Sequence, residues 1–173
     1  MKTIAMAALA ACCATTAFAQ DPASPETVSV EMKMQDGTGV GTITLMQTPN
    51  GVLLSNDLSG LPDGEHAIHL HETGACEGDF SSAGGHYNPT SMEHGYKSEG
   101  GVHAGDMPNF TAVNGIAKFD HVDPNVSLVD GDAPLNDADG TAIIIHDGAD
   151  DYESQPSGDA GSRLACGVVY PAQ

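Results

Sequence analysis

The chain has 173 residues and a formal net charge of −19, from 24 Asp and Glu against five Lys and Arg. Such an acidic balance excludes polyanionic partners, so no nucleic acid and no anionic membrane surface is expected. No run of the roughly 20 apolar residues that a transmembrane helix needs is present, so no transmembrane segment is expected either.

In chain order the first feature is a leader. Lys2 precedes a small apolar run over residues 4–11, and Ala17-Phe18-Ala19 supplies an A-x-A site. This is the pattern of a secretory signal peptide cut after Ala19. It leaves residues 20–173 as one domain, placed in the periplasm or secreted. Leu9-Ala10-Ala11-Cys12 also resembles a lipoprotein signal, but lipid anchoring at Cys12 would leave a very short leader, and cleavage after Ala19 is the stronger expectation. The exported part keeps two cysteines, Cys76 and Cys166. In an oxidising compartment they most simply form one disulfide. That bridge would close a loop of about 90 residues, nominally worth ~4–5 kcal/mol as an upper bound.

Apolar–polar alternation then marks TVSVEMKM (27–34) and GTITLMQ (41–47) as strands. GVLLS (51–55), HAIHLHE (66–72), GIAKFDH (115–121), AIIIHD (142–147) and CGVVY (166–170) continue the series of short, β-branched runs. Turn signals separate them: Asp36-Gly37, Pro49-Asn50-Gly51, Pro62-Asp63-Gly64 and Asn114-Gly115. No stretch combines a helical period with caps. The expected fold is therefore all-β, an antiparallel barrel or sandwich of about eight strands. Two long segments, 73–108 and 147–165, are rich in Gly, Ser and Asp, and the first holds three of the chain's eight histidines. Loops of such length in a compact domain are usually functional.

Eight histidines are present, at 66, 69, 71, 86, 94, 103, 121 and 146. A single histidine is most simply a surface or hydrogen-bonded residue; the set is what carries information. His69 and His71 stand at the strand period, on the face opposite Ile68 and Leu70. His94, His103 and Asp106 lie in the glycine-rich HGYKSEGGVHAGD, which can bend three ligands around one ion. His146 ends an apolar strand, a costly place for an imidazole without a partner. Imidazole favours copper and zinc over calcium or magnesium, and three histidines with one carboxylate can close a tetrahedral zinc site.

With these residues in view, the chain resembles a secreted Cu/Zn superoxide dismutase. Four blocks carry the likeness in order: HAIHLHETGAC, GGHYNPTSMEHG, GVHAGDMPN and IIIHDGADDY…GDAGSRLACGVV. The resemblance implies a Greek-key barrel with two functional loops, and copper and zinc as cofactors. It implies copper held by His69, His71, His86 and His146, and zinc held by His86, His94, His103 and Asp106. His86 then bridges both metals and passes a proton during the cycle. Asp150 would accept hydrogen bonds from His69 and His94 and orient them. Arg163 would attract the substrate, superoxide anion, which is converted to O₂ and hydrogen peroxide. Cys76 and Cys166 match the family disulfide, His66 a buried structural histidine, and His121 matches nothing.

The 147–165 segment is shorter than in eukaryotic members and lacks their guiding lysine, leaving Lys97 as the one substitute. The stretch from Cys76 to His86 is longer, so the chain is expected as a monomer or a homodimer. Two rival readings are a periplasmic copper/zinc buffer on the same fold and a zinc hydrolase. The buffer has no need of Arg163; the hydrolase lacks an H-E-x-x-H arrangement.

Overall fold

The computed structural model describes residues 26–173. The signal peptide and Cys12 lie outside the described residues. Ten strands form: β1 (Thr27–Met34), β2 (Gly39–Thr48), β3 (Gly51–Ser59), β4 (Gly64–His66), β5 (Ile68–His71), β6 (Phe110–Ala112), β7 (Ile116–Ala117), β8 (Asp120–Asp123), β9 (Thr141–His146) and β10 (Arg163–Tyr170). The sole helical piece among the described residues is a 3₁₀ turn over Ser81–Ala83.

One antiparallel sheet runs β5-β9-β10-β1-β2-β3-β7, with β8 also paired to β3, and β4 pairs separately with β6. After β3 the chain crosses to the far edge as β5, returns to β7 and β8 beside β3, and crosses again to β9 beside β5. These crossings make the barrel a Greek key. Alternation places Val30, Met32, Ile43, Leu45, Val52 and Leu54 inside, all essentially without exposure.

Strand β9 explains its own continuous apolar run. Ile143 and Ile145 join the barrel interior, whereas Ala142 and Ile144 face Phe80, Ala83 and Cys166 on the opposite side. Both faces are therefore covered, as in a central strand. The covering layer is the first half of the 72–109 connection, held to β10 by the Cys76–Cys166 disulfide. Burying Ile144 there contributes about 2 kcal/mol.

The structure corrects the sequence reading in several places. GIAKFDH splits into β7 and β8, because Lys118 and Phe119 leave the ladder. The short pair β4–β6 had no alternation long enough to read. The second long segment ends at Ser162, not at Ala165, since Arg163 already pairs with His146 across the β10–β9 ladder. A third irregular segment, 124–140, looks polar yet buries Val126, Leu128, Ala133 and Leu135 in the core.

Candidate metal centre

Strand period puts Ile68 and Leu70 in the barrel core and turns His69 and His71 to the opposite side. Three backbone segments are then lashed together at Leu70. Its N–H donates to Gly105 O at 2.9 Å, Gly105 N–H to Tyr87 O at 2.9 Å, and Tyr87 N–H back to Leu70 O at 2.8 Å. This ring of hydrogen bonds sets His69 and His71, His86, and the pair His103 and Asp106 around one point. Gly105 is required by the close approach: a Cβ there would stand 2.5 Å from Leu70 O. The end of β9 adds His146, and the loop after Asn88 adds His94.

Two groups of potential ligand atoms result, each within 4.8 Å of one another: His69, His71, His86 and His146, and His86, His94, His103 and Asp106. His86 belongs to both. In the first group, His69 Nδ1, His71 Nε2, His86 Nε2 and His146 Nε2 are buried without a hydrogen-bond partner. Leaving four such atoms unpaired in one interior is costly, and a cation among them removes the cost. The opposite ring nitrogens are occupied. His69 Nε2 faces Asp150 Oδ2 at 2.9 Å, His71 Nδ1 faces Gly84 O at 3.0 Å, and His146 Nδ1 faces Gly161 O at 3.4 Å. Protons on those nitrogens leave the inward lone pairs free to ligate. Burial first of all pulls His71 well below its ordinary value, His86 down to about 4 and His146 to about 3. All three are neutral, the form that binds metal.

In the second group, Asp106 Oδ1 lies 2.8, 3.0 and 3.3 Å from the Nδ1 atoms of His86, His94 and His103. A tetrahedral zinc with bonds of about 2.0–2.1 Å separates its ligands by roughly 3.3 Å, so the group fits this ion. Asp106 Oδ2 accepts N–H bonds from Gly95 and His103. Asp150 ties the groups together, with Oδ2 on His69 and Oδ1 on His94 Nε2 at 3.0 Å. Burial opposes the charge of His94, but its contacts with Asp106 and Asp150 carry it up to about 9. Gly158, at φ +70°, closes over this contact; a Cβ would meet Asp150 Oδ1 at 1.8 Å.

A cavity of about 380 Å³ reaches the first group, lined by His71, His86, His146, Glu72, Ser157 and Arg163 among others. Arg163 donates from its guanidinium to the carbonyls of Phe80 and Gly84. Among the described residues the remaining cations point elsewhere. Lys33 faces Glu31 and Lys118 faces Asp57, both on the surface. Lys97 donates to Asp151 O at 2.8 Å and lies over the Tyr152 ring, and it is not part of the cavity lining. His66 packs inside between the carbonyls of His146 and Pro62. His121, half-buried on β8, joins neither group.

Sequence reasoning missed three contributors. Glu72, beside His71, is the carboxylate in the cavity wall. Asn109 pairs its carboxamide with both the N–H and the C=O of Asp150, and Gln155 does the same to His94. No local pattern announces such long-range pairings.

Fold and site together define an antiparallel β-barrel that carries two buried groups of potential metal ligands with one histidine, His86, common to both. A copper/zinc superoxide dismutase family model matches residues 40–169. A Cu-Zn superoxide dismutase of Aquifex aeolicus is 46% identical over 139 residues, covering 78% of this chain and 82% of that protein. The one of Neisseria meningitidis is 34% identical and covers 98% of both. Among solved structures, a SOD-like protein from Bacillus subtilis matches with a TM-score of 0.78 at 36% identity, over 82% of this chain and 97% of that one. The Cu/Zn superoxide dismutase from Brucella abortus gives 0.67 at 29%, over 83% and 99%. The chain belongs to the copper/zinc superoxide dismutase family.

Proposed function

We propose that the protein disproportionates superoxide, turning two superoxide anions and two protons into one O₂ and one hydrogen peroxide. The observation that carries this reading is His86, whose two ring nitrogens face different donor groups. His69, His71, His86 and His146 would hold copper; His86, His94, His103 and Asp106 would hold zinc. When bound, copper supplies one-electron exchange with superoxide, and zinc supplies charge without redox chemistry.

The protein's own residues provide the rest. Arg163 sets a cation in the cavity wall of a chain whose net charge repels anions. His71, His86, His146 and Gly161 line the cavity that reaches the first group. Asp150 holds His69 and His94 in fixed ring orientations. His86 Nε2, buried and without a hydrogen-bond partner, is the atom of the shared ring that can hold a proton while Nδ1 stays with the second group. A metal buffer would need the histidines but not Arg163.

We further place the protein in the periplasm or outside the cell, exported by residues 1–19 with cleavage after Ala19. The Cys76–Cys166 disulfide supports an oxidising compartment. Among the described residues no helix is long and apolar enough to cross a membrane. The reading is tested by metal analysis of the purified protein together with its superoxide consumption. About one copper and one zinc per chain with fast turnover is expected. Bound metal without turnover would leave a buffer.

A further inference from the structure

The 94–97 and 151–155 segments meet along a seam. Lys97 N–H donates to Tyr152 O at 3.0 Å, and Lys97 Nζ to Asp151 O at 2.8 Å. At its end the Gln155 carboxamide acts as a strand partner would: Oε1 accepts from His94 N–H at 2.9 Å, and Nε2 donates to His94 O at 2.9 Å. Nε2 also reaches Glu153 O at 3.2 Å. Immediately after Gln155, Pro156 and Ser157 line the cavity that leads to the first donor group. One side chain thus grips the backbone of a residue in the second group and anchors the wall of the cavity to the first.

We propose that Gln155 is a positioning residue for the metal centre, fixing the backbone of His94 so that its ring keeps ligand geometry, and holding the Pro156–Ser157 wall against it. This rests on the reading of His94 as a zinc ligand. His94 is clasped from both sides: Asp150 fixes the ring through Nε2, and Gln155 fixes the main chain that carries it. Removing either grip lets the imidazole swing from the Asp106 Oδ1 position it now occupies at 3.0 Å. Losing an outer partner of a metal ligand typically weakens metal binding roughly 10–100-fold. Because Gln155 is exposed on its outer side, water partly replaces it, and the low end of that range is expected.

The test compares the purified, metal-loaded protein with Gln155→Met, Gln155→Glu and the neighbouring control Glu153→Gln. Gln155→Met keeps length but deletes the carboxamide; Gln155→Glu keeps an acceptor for His94 N–H but turns a second one against His94 O. Zinc retention against a chromophoric chelator should fall about tenfold in both Gln155 variants and stay within twofold in Glu153→Gln. Cobalt(II) placed in the second group gives visible bands that report ligand geometry, and these should shift in the Gln155 variants. If Gln155→Met does not fold, Gln155→Glu decides alone. Unchanged zinc retention and unchanged cobalt bands, whatever happens to the melting temperature, would overturn the proposal. If wild type itself gives no tetrahedral cobalt spectrum, the zinc reading of this group fails first, and the role of Gln155 fails with it.

Discussion

Reversing the charge of Arg163 should slow the reaction with superoxide about a hundredfold at low salt. The guanidinium is held by two carbonyl acceptors, Phe80 O and Gly84 O, at the wall of the cavity where His71 and His146 present their rings. An anion in that cavity sits on the order of 6 Å from it. The cavity opens to water, so an effective dielectric of about 40 applies, between surface and bulk values, and the attraction is ~1.4 kcal/mol. Neutralising Arg163 then costs about tenfold in capture, and Arg163→Glu doubles the energy to a factor near one hundred. Arg163→Lys keeps the charge but loses the fork that reaches two carbonyls, and should remain within about fivefold. Both variants should keep both metals, since Arg163 is in neither donor group. The assay is the second-order rate constant at about 0.01 M and 0.15 M ionic strength, where the screening length falls from ~30 to ~8 Å and the gap between variants must narrow. Arg163→Glu within twofold of wild type at low salt would refute the steering argument.

Three other perturbations separate the roles of His146, the disulfide and Asp123. His146→Ala removes a nitrogen from the first group alone, so copper-dependent turnover should vanish while zinc content by elemental analysis stays near one per chain. Reducing the disulfide frees Cys76, which begins the loop carrying the Phe80 and Gly84 carbonyls, and Cys166, three residues beyond Arg163. Melting temperature and turnover should both fall, and identical melting curves with confirmed free thiols would rule the coupling out. Asp123 is buried with Oδ2 unpartnered and is pushed up to about 6, chiefly by burial. Its folded value lies above its unfolded one, so ionisation costs stability as pH rises from about 4 to 6, and the cost is full above that. At ~1.4 kcal/mol per unit the penalty is about 3 kcal/mol at most. Asp123→Asn, which keeps the acceptor for Asn125 N–H, should therefore be ~2 kcal/mol more stable at pH 8 and no more stable at pH 3.5, by urea melts.

What the sequence made legible was whatever depends on local period. Alternation in HAIHLHE assigned the inner and outer faces of β5, and the apolar run that ends at His146 signalled a buried strand. The donor residues stood out because histidine is rare in glycine-rich loops, yet the 73–108 segment holds three of the chain's eight. Features that arise from long-range pairing were not legible. The ring joining Leu70, Tyr87 and Gly105, the carboxamide grips of Asn109 and Gln155, and the two-residue β7 are each made by segments far apart in sequence. The 124–140 segment misled for another reason. Its four core residues are spaced irregularly among Asp, Asn and Gly, so neither the period of a strand nor that of a helix appears. Lys97 looked like a substitute for a guiding lysine because it lies between His94 and His103, but the seam with Asp151 and Tyr152 directs its ammonium away from the cavity lining.

In the proposed function one imidazole, that of His86, is shared by two metals. Loading copper(II) in the first group and cobalt(II) in the second, and recording the electron paramagnetic resonance of copper, tests this sharing most directly. A single bridging ring couples the two spins, so the copper signal should be largely lost when cobalt enters and return when zinc replaces it. A full, unchanged copper signal in the doubly loaded protein would contradict the shared ligand and the dinuclear centre built on it.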